Sequence, residues 1–235
     1  IFHAHLMVTD VPLLTGFALS VTGFAMWNKS PDLKSAVVLG TGIGGAQTID
    51  DNAYAEYVEE RRPDTLTVPR LIPSAAPTTL GMRYGAKGPT FALASACSSA
   101  GQAIGEDFEM LVSGRADRAI AGGSEACVTN GSIRAWEALR VLTPDLCRPF
   151  SARRNGMSLG EGAAIFVLET LDSARARGAT PLCELAGYGT TSDAFDPLRA
   201  DVEGPTRSMQ LALASAGSPN LVTRRPLKTP SLILE

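Results

Sequence analysis

Short, almost wholly apolar runs set apart by amphipathic stretches constrain this chain more than any other feature. Ala36-Val37-Val38-Leu39, Thr90 to Ala96, Arg118 to Ala121, Ala163 to Glu169 and Leu182 to Tyr188 each have the length of a strand. They read as continuous apolar text more than as alternation, which is the pattern of strands covered on both faces. Between them lie helical patterns. Ser98 to Ser113 places Ala100, Ala103, Ile104, Phe108, Leu111 and Val112 at three- and four-residue steps, with Gly114 as a stop signal. Asp50 to Arg62 reads as a polar helix stopped by Pro63, Ile133 to Leu142 as another, and Leu171 to Arg177 as a short one closed by Gly178. Three segments read as irregular: the proline-punctuated stretch through Pro69, Pro73 and Pro77, the turn Gly122 to Glu125, and the loop Thr143 to Ser158. This order of elements predicts an α/β fold whose helices cover largely buried sheets.

A chain of 235 residues, 45% hydrophobic and 19% charged, is large enough to bury a core without covalent or metal staples. Its net charge of −3 provides no electrostatic footprint for nucleic acid. The four cysteines, Cys97, Cys127, Cys147 and Cys183, form no C-x-x-C pair, so neither a metal site nor a redox pair is expected, and they read as reduced cytoplasmic thiols. No cofactor is expected. The uncharged stretch Val11 to Trp27 barely reaches the lower limit of a membrane span and is diluted by Pro12, Gly16, Ser20 and Gly23. It reads as a buried helix with Asp10 as N-cap and Pro12 in its first turn, a membrane role being the alternative.

Cys97 stands where the apolar run from Thr90 ends and the clearest helix begins. At such a junction the helix dipole favours a thiolate, and unpaired backbone N–H groups can hold an oxyanion. Small neighbours in Ser95-Ala96-Cys97-Ser98-Ser99-Ala100-Gly101 leave room for a carbonyl to approach the sulfur. The arrangement suits acyl transfer, whereas an unpaired cysteine at an arbitrary position is more often a small core residue. Cys127, Cys147 and Cys183 lack such a junction and read in that second way.

These residues, Gly88-Pro89-Thr90 through Ser95-Ala96-Cys97-Ser98-Ser99, resemble the active-site segment of the β-ketoacyl-acyl-carrier-protein synthases, the condensing enzymes of fatty-acid and polyketide synthesis. Further landmarks follow the same family order: Gly40 to Gly45, Ala121 to Glu125, Arg148-Pro149-Phe150, Gly160-Glu161-Gly162-Ala163 and Thr191-Ser192-Asp193-Ala194. The resemblance implies a thiolase-like layered fold, of which this chain holds the first half and the start of the second, working as a homodimer with the Thr90 to Ala96 strand at the interface. It divides the chain into residues 1–181, an amino-terminal half incomplete at its start, residues 182–217, the start of the other half, and a divergent tail, 218–235. It implies that Cys97 takes an acyl group from a carrier-protein thioester, that the Cys97 N–H forms part of the oxyanion hole, and that decarboxylated malonyl-carrier protein attacks the acyl-enzyme. Ile43 matches a residue beside the acyl pocket. Val68 to Ser74 and Arg134 to Leu139 resemble the nodulation protein E subgroup, within a type that elongates medium-to-long chains.

The family's chemistry uses two histidines and a lysine from the second half, and the only histidines here are His3 and His5. The tail from Ser218 to Glu235 reads like another reading frame, so this chain is expected to be a truncated fragment that accepts acyl groups but does not condense them. Asn155 stands before Gly156 where the family has an acid, which puts a local salt bridge in question. Two other readings come from other classes. One is a catalytically silent partner subunit, in which the cysteine is usually replaced. The other is a dinucleotide-binding oxidoreductase, based on Gly40-x-Gly42-x-x-Gly45 after a strand, although the acidic residue such a site needs at the end of the next strand is not evident.

Overall fold

The computed structural model describes residues 34–196, 199 and 201–217. The stretch Val11 to Trp27 and the tail after Gly217 lie outside the described residues. Among the described residues, strand β1 (Ser35–Gly40) is buried along its whole length and is one of the two inner strands of a four-stranded sheet. The sheet order is β2 (Thr90–Leu93), β1, β3 (Arg118–Glu125), β4 (Gly162–Glu169), the first three parallel and β4 antiparallel to β3. Parallel neighbours require crossovers, and the two present here lie on opposite faces. Helices α1 (Ala46–Tyr57), α2 (Thr67–Leu71) and α3 (Ala75–Tyr84) connect β1 to β2, while α4 (Ser99–Val112) connects β2 to β3.

Side chains along β1 alternate between these faces. Val37 and Leu39 pack with Ile120 and with Leu80 of α3, whereas Ala36 and Val38 pack with Ala119 and with Ala103 and Met110 of α4. Helices thus cover both faces, as the continuous apolar runs predict. Beyond the sheet are α5 (Asn130–Ala138), α6 (Leu171–Ala176) and α7 (Glu203–Ser215). At the end of β4, Glu169 accepts from Arg118 at 3.0 Å, Ser173 at 2.9 Å and Arg177 at 2.7 Å. Burial alone would raise the Glu169 carboxyl, but Arg177, Ser173 and Arg118 outweigh it and hold it below its ordinary value.

Several sequence expectations need correction. The stretch through Pro69, Pro73 and Pro77 is not a loop, because α2 and α3 occupy most of it. Pro69 and Pro77 are each the third residue of their helix, where a missing N–H costs no intrahelical bond. Gly122 to Glu125 is the continuation of β3, not a turn. A Cβ on Gly122 would fall 2.1 Å from the Ala164 carbonyl oxygen, so glycine there lets the strand keep its close pairing with β4. The strand expected from Thr90 to Ala96 stops at Leu93. Leu182 to Tyr188 forms no strand among the described residues: Leu182 is exposed, and the chain further on lies against helices, the Tyr188 ring resting on Gly105 of α4. Helices α1 and α5 begin four and three residues earlier than expected, α5 because Thr129 caps it by accepting from the Ser132 N–H at 3.1 Å.

The first turn of α4 lies directly on the sheet. A Cβ on Gly40 would fall 2.2 Å from the Ser99 carbonyl carbon, and one on Gly123 would fall 2.6 Å from the Ala100 Cβ. Both glycines are therefore needed for contact, since backbone cannot yield as a flexible side chain can. Gly40→Ala is expected to cost about 3 kcal/mol in urea denaturation, because α4 must lift away from β1.

Candidate active site

Gly40, the last residue of β1, lies opposite Leu93, the last of β2, and opposite Gly123, two residues before β3 ends, so the loops that follow β1 and β2 and the end of β3 gather at one edge of the sheet. Ligands of open α/β sheets bind at this carboxyl edge. Cys97 is here, exposed, in a single 3₁₀ turn (Ala96–Ser98) immediately before α4. Its N–H donates to no acceptor among the described residues.

The turn is strained and held in place. Ala96 has φ +53, a left-handed conformation that L residues other than Asn and Asp seldom adopt. The Ser99 hydroxyl secures it by donating to the Ala96 carbonyl at 2.6 Å while accepting from the Ser95 N–H at 2.8 Å. Ser98 Oγ donates to the Ser95 carbonyl at 2.8 Å, and Ser95 Oγ donates to Gln102 Oε1 at 2.6 Å. The sharp bend raises Cys97 out of the strand and turns the chain at once into α4.

Facing the turn is the glycine loop after β1. Gly42 passes close to the Ala96 carbonyl, since a Cβ placed on it would fall 3.9 Å from that oxygen. Ile43 follows and is half exposed. The structure thus brings the loop bearing Ile43 beside the turn bearing Cys97, two of the positions singled out in the sequence. Glu125, at the end of β3, was not singled out as a site residue. Its carboxylate accepts from the Gly42 N–H, from the Ile43 N–H at 3.1 Å and from the Thr41 hydroxyl at 3.3 Å. The available signal was a carboxylate two residues past a Gly-Gly pair, opposite a glycine loop with amides to satisfy. The same contact bears on the dinucleotide reading, because the amides that would cradle a phosphate already hold an anion.

The family described as "Beta-ketoacyl synthase, N-terminal domain" matches residues 18–174. The chain belongs to the β-ketoacyl synthase family. Nodulation protein E of Rhizobium sp. (strain N33) is 44% identical over 181 residues, covering 77% of this chain and 45% of that protein. The 3-oxoacyl-[acyl-carrier-protein] synthase 2 of Staphylococcus aureus is 39% identical over 199 residues, covering 81% and 49%. The chain spans about half the length of the curated relatives it matches. Among solved structures, a β-ketoacyl synthase from Burkholderia phymatum STM815 superposes with TM-score 0.74 at 28% identity, covering 86% of this chain and 51% of that one. A type II polyketide acyl-carrier protein in complex with its ketosynthase bound to the hexaketide gives TM-score 0.74 at 27% identity, covering 82% and 50%. The thiolase-like fold expected from the sequence is therefore the fold observed.

Other landmarks of this β-ketoacyl synthase chain have visible structural work. Glu161, from Gly160-Glu161-Gly162-Ala163, accepts from the Val128 N–H at 3.0 Å and so ties down the segment after β3. Cys127 lies buried between Glu125 and Glu161; burial and then those two carboxylates raise its thiol. Cys147 is half-buried and Cys183 exposed, so only Cys127 of the three is a buried filler. Arg148 pairs with Asp145 at 3.1 Å, and Asn155 donates to the same carboxylate at 3.2 Å. Arg148, the Leu146 N–H, Thr143 and Asn155 together hold the Asp145 carboxyl far below its ordinary value. Among the described residues no helix is long and apolar enough to cross a membrane.

Proposed function

We propose that Cys97 is the acyl-accepting nucleophile of a β-ketoacyl-acyl-carrier-protein synthase. The observation that carries this reading is the exposed thiol on a strained turn at the start of a fourteen-residue helix, its own N–H without an acceptor. In the reaction the sulfur attacks the carbonyl carbon of an acyl-carrier thioester, forming a new C–S bond. The developing oxyanion is held by the Cys97 N–H, and the helix end favours negative charge there. Collapse breaks the carrier's C–S bond, and the carrier leaves as a thiol with the proton that Cys97 gave up. A thioester keeps the acyl carbon electrophilic for the condensation that follows.

The acyl tail lies toward Ile43, and the donor is a medium-to-long acyl chain on a carrier protein, a reading that rests on the likeness of Val68 to Ser74 and Arg134 to Leu139 to the nodulation protein E subgroup. Malonyl-carrier protein is the second substrate. Its decarboxylation draws on two histidines that the family places in a second half, so acyl capture is the step assigned to the residues described here. Residues 182–217 belong to the start of that half, a reading that rests on the order of the family's motifs along the chain. Among the described residues strand β2 is an edge of the sheet, where it can pair with a second copy in a homodimer.

The test is mass spectrometry of the chain after incubation with a mixed acyl-carrier-protein pool. A thioester adduct confined to Cys97, enriched in longer acyl groups, is expected. A folded chain that takes up no acyl group would overturn the reading and favour a catalytically silent partner subunit.

A further inference from the structure

Glu125 is tied to the site through its loop contacts and not through contact with the thiol. Three consecutive residues, Thr41, Gly42 and Ile43, donate to its carboxylate, and the Gly42 and Ile43 amides both reach the same oxygen, Oε2. The Thr41 hydroxyl in turn accepts from the Gly44 N–H at 3.0 Å, closing the loop on itself. No helix or strand pairing holds residues 41–43 directly, apart from the Thr41 N–H donating to the Leu93 carbonyl at 3.0 Å. The loop passes near the Cys97 turn, since a Cβ built on Gly42 would come within 3.9 Å of the carbonyl oxygen of Ala96, one residue from Cys97. Release of the carboxylate would leave two adjacent amides unpaired and free the loop to swing away from the Cys97 turn.

We propose that Glu125 is a positioning residue: by holding the Thr41 to Ile43 amides it fixes Ile43 beside Cys97 and thereby sets how well long apolar chains are accepted at the thiol. This rests on the reading of Cys97 as the acylated residue. Geometry, not charge, is the operative property. A glutamine at this position can present its carbonyl oxygen to both amides and its NH₂ to the Thr41 oxygen, whereas alanine offers nothing and aspartate is one methylene too short.

The experiment uses the full chain and its Glu125→Ala, Glu125→Asp and Glu125→Gln variants, each shown to be folded by circular dichroism. Modification of Cys97 by N-ethylmaleimide and by N-octylmaleimide is followed by mass spectrometry, alongside acylation by hexanoyl- and dodecanoyl-carrier protein. The long-to-short rate ratio is expected to drop about tenfold in Glu125→Ala and Glu125→Asp with both probe pairs, and to stay within about twofold of the parent in Glu125→Gln. Amide hydrogen exchange at residues 41–43 is expected to quicken in the first two variants only. An unchanged ratio in Glu125→Ala, or a Glu125→Gln variant as impaired as Glu125→Ala, would overturn the proposal. Carrier thioesters failing on every chain while the maleimide ratios shift as stated would instead overturn the reading of Cys97 as the acyl acceptor and leave the positioning role of Glu125 standing.

Discussion

Cys97→Ala is expected to take up no acyl group from any carrier thioester, and Cys97→Ser to be acylated on the order of 10³-fold more slowly than the parent or worse. The serine variant is the more informative of the two. It keeps the 3₁₀ turn, the strained Ala96, the Cys97 N–H and the helix end, and changes one atom. A hydroxyl in that position has no adjacent base among the contacts described and remains protonated at neutral pH, so it is a poor nucleophile, and its ester is a weaker acyl donor than a thioester. Both variants are expected to unfold at the parent's urea midpoint within about 0.5 kcal/mol, because the side chain is exposed and makes no core contact. Acyl uptake undiminished in Cys97→Ala would move the chemistry to another residue. Quench-flow or timed mass spectrometry with a dodecanoyl carrier decides it.

Stability is expected to fall by about 4 kcal/mol between about pH 5 and about pH 8 through a single group, Asp107. Its side chain lies on the sheet-facing side of α4 with Ala103 and Met110, is fully buried, and neither carboxylate oxygen has a hydrogen-bond partner. Burial pushes its carboxyl from near 3.8 up to about 8, the Val38 N–H, close but outside hydrogen-bonding geometry, opposing and Glu106 adding to the rise. The native chain therefore keeps a proton that the unfolded chain releases. This contribution to stability is complete below the unfolded value of 3.8 and is lost as pH rises through about 8. Glu169 works in the opposite sense: its carboxyl is held below its ordinary value, and its contribution is lost only as pH falls below that value. The Asp107 component is thus isolated as the difference between parent and variant across neutral pH. Asp107→Asn is expected to abolish the slope, and Asp107→Ala, which also removes the buried polar atoms, to abolish it and be the more stable of the two. Urea titrations at several pH values check this; parallel curves for parent and Asp107→Asn would show that the proton is not taken up on folding.

Much of this could be read in the residues because the signals were local. The run Ala36 to Leu39 has no polar interruption, and it is a fully buried inner strand. The three- and four-residue spacing from Ala100 to Val112 sets the helix, and the switch between these two patterns puts Cys97 at its start. Prolines misled where their position within a helix mattered more than their presence: Pro69 and Pro77 occupy first turns, which their spacing does not distinguish from a loop. Gly122-Gly123 misled similarly. Two glycines end an apolar run as a turn would, yet here they allow β3 to approach β4 and α4 closely.

Residue order alone determined the alternation of strand and helix, the place of the candidate nucleophile Cys97 at a strand-to-helix junction, and the family, since each depends on neighbours within a few positions or on the order of short motifs. Tertiary structure alone decided that Glu125 faces Thr41 to Ile43, that Asp145 gathers Arg148 and Asn155, and that Asp107 is buried without a partner. In two of these, residues 10 to 84 positions apart meet; in the third, two buried oxygens meet no partner. The physical reason is common to all three: a carboxylate's properties follow from what surrounds it in space, and no local pattern encodes that surrounding.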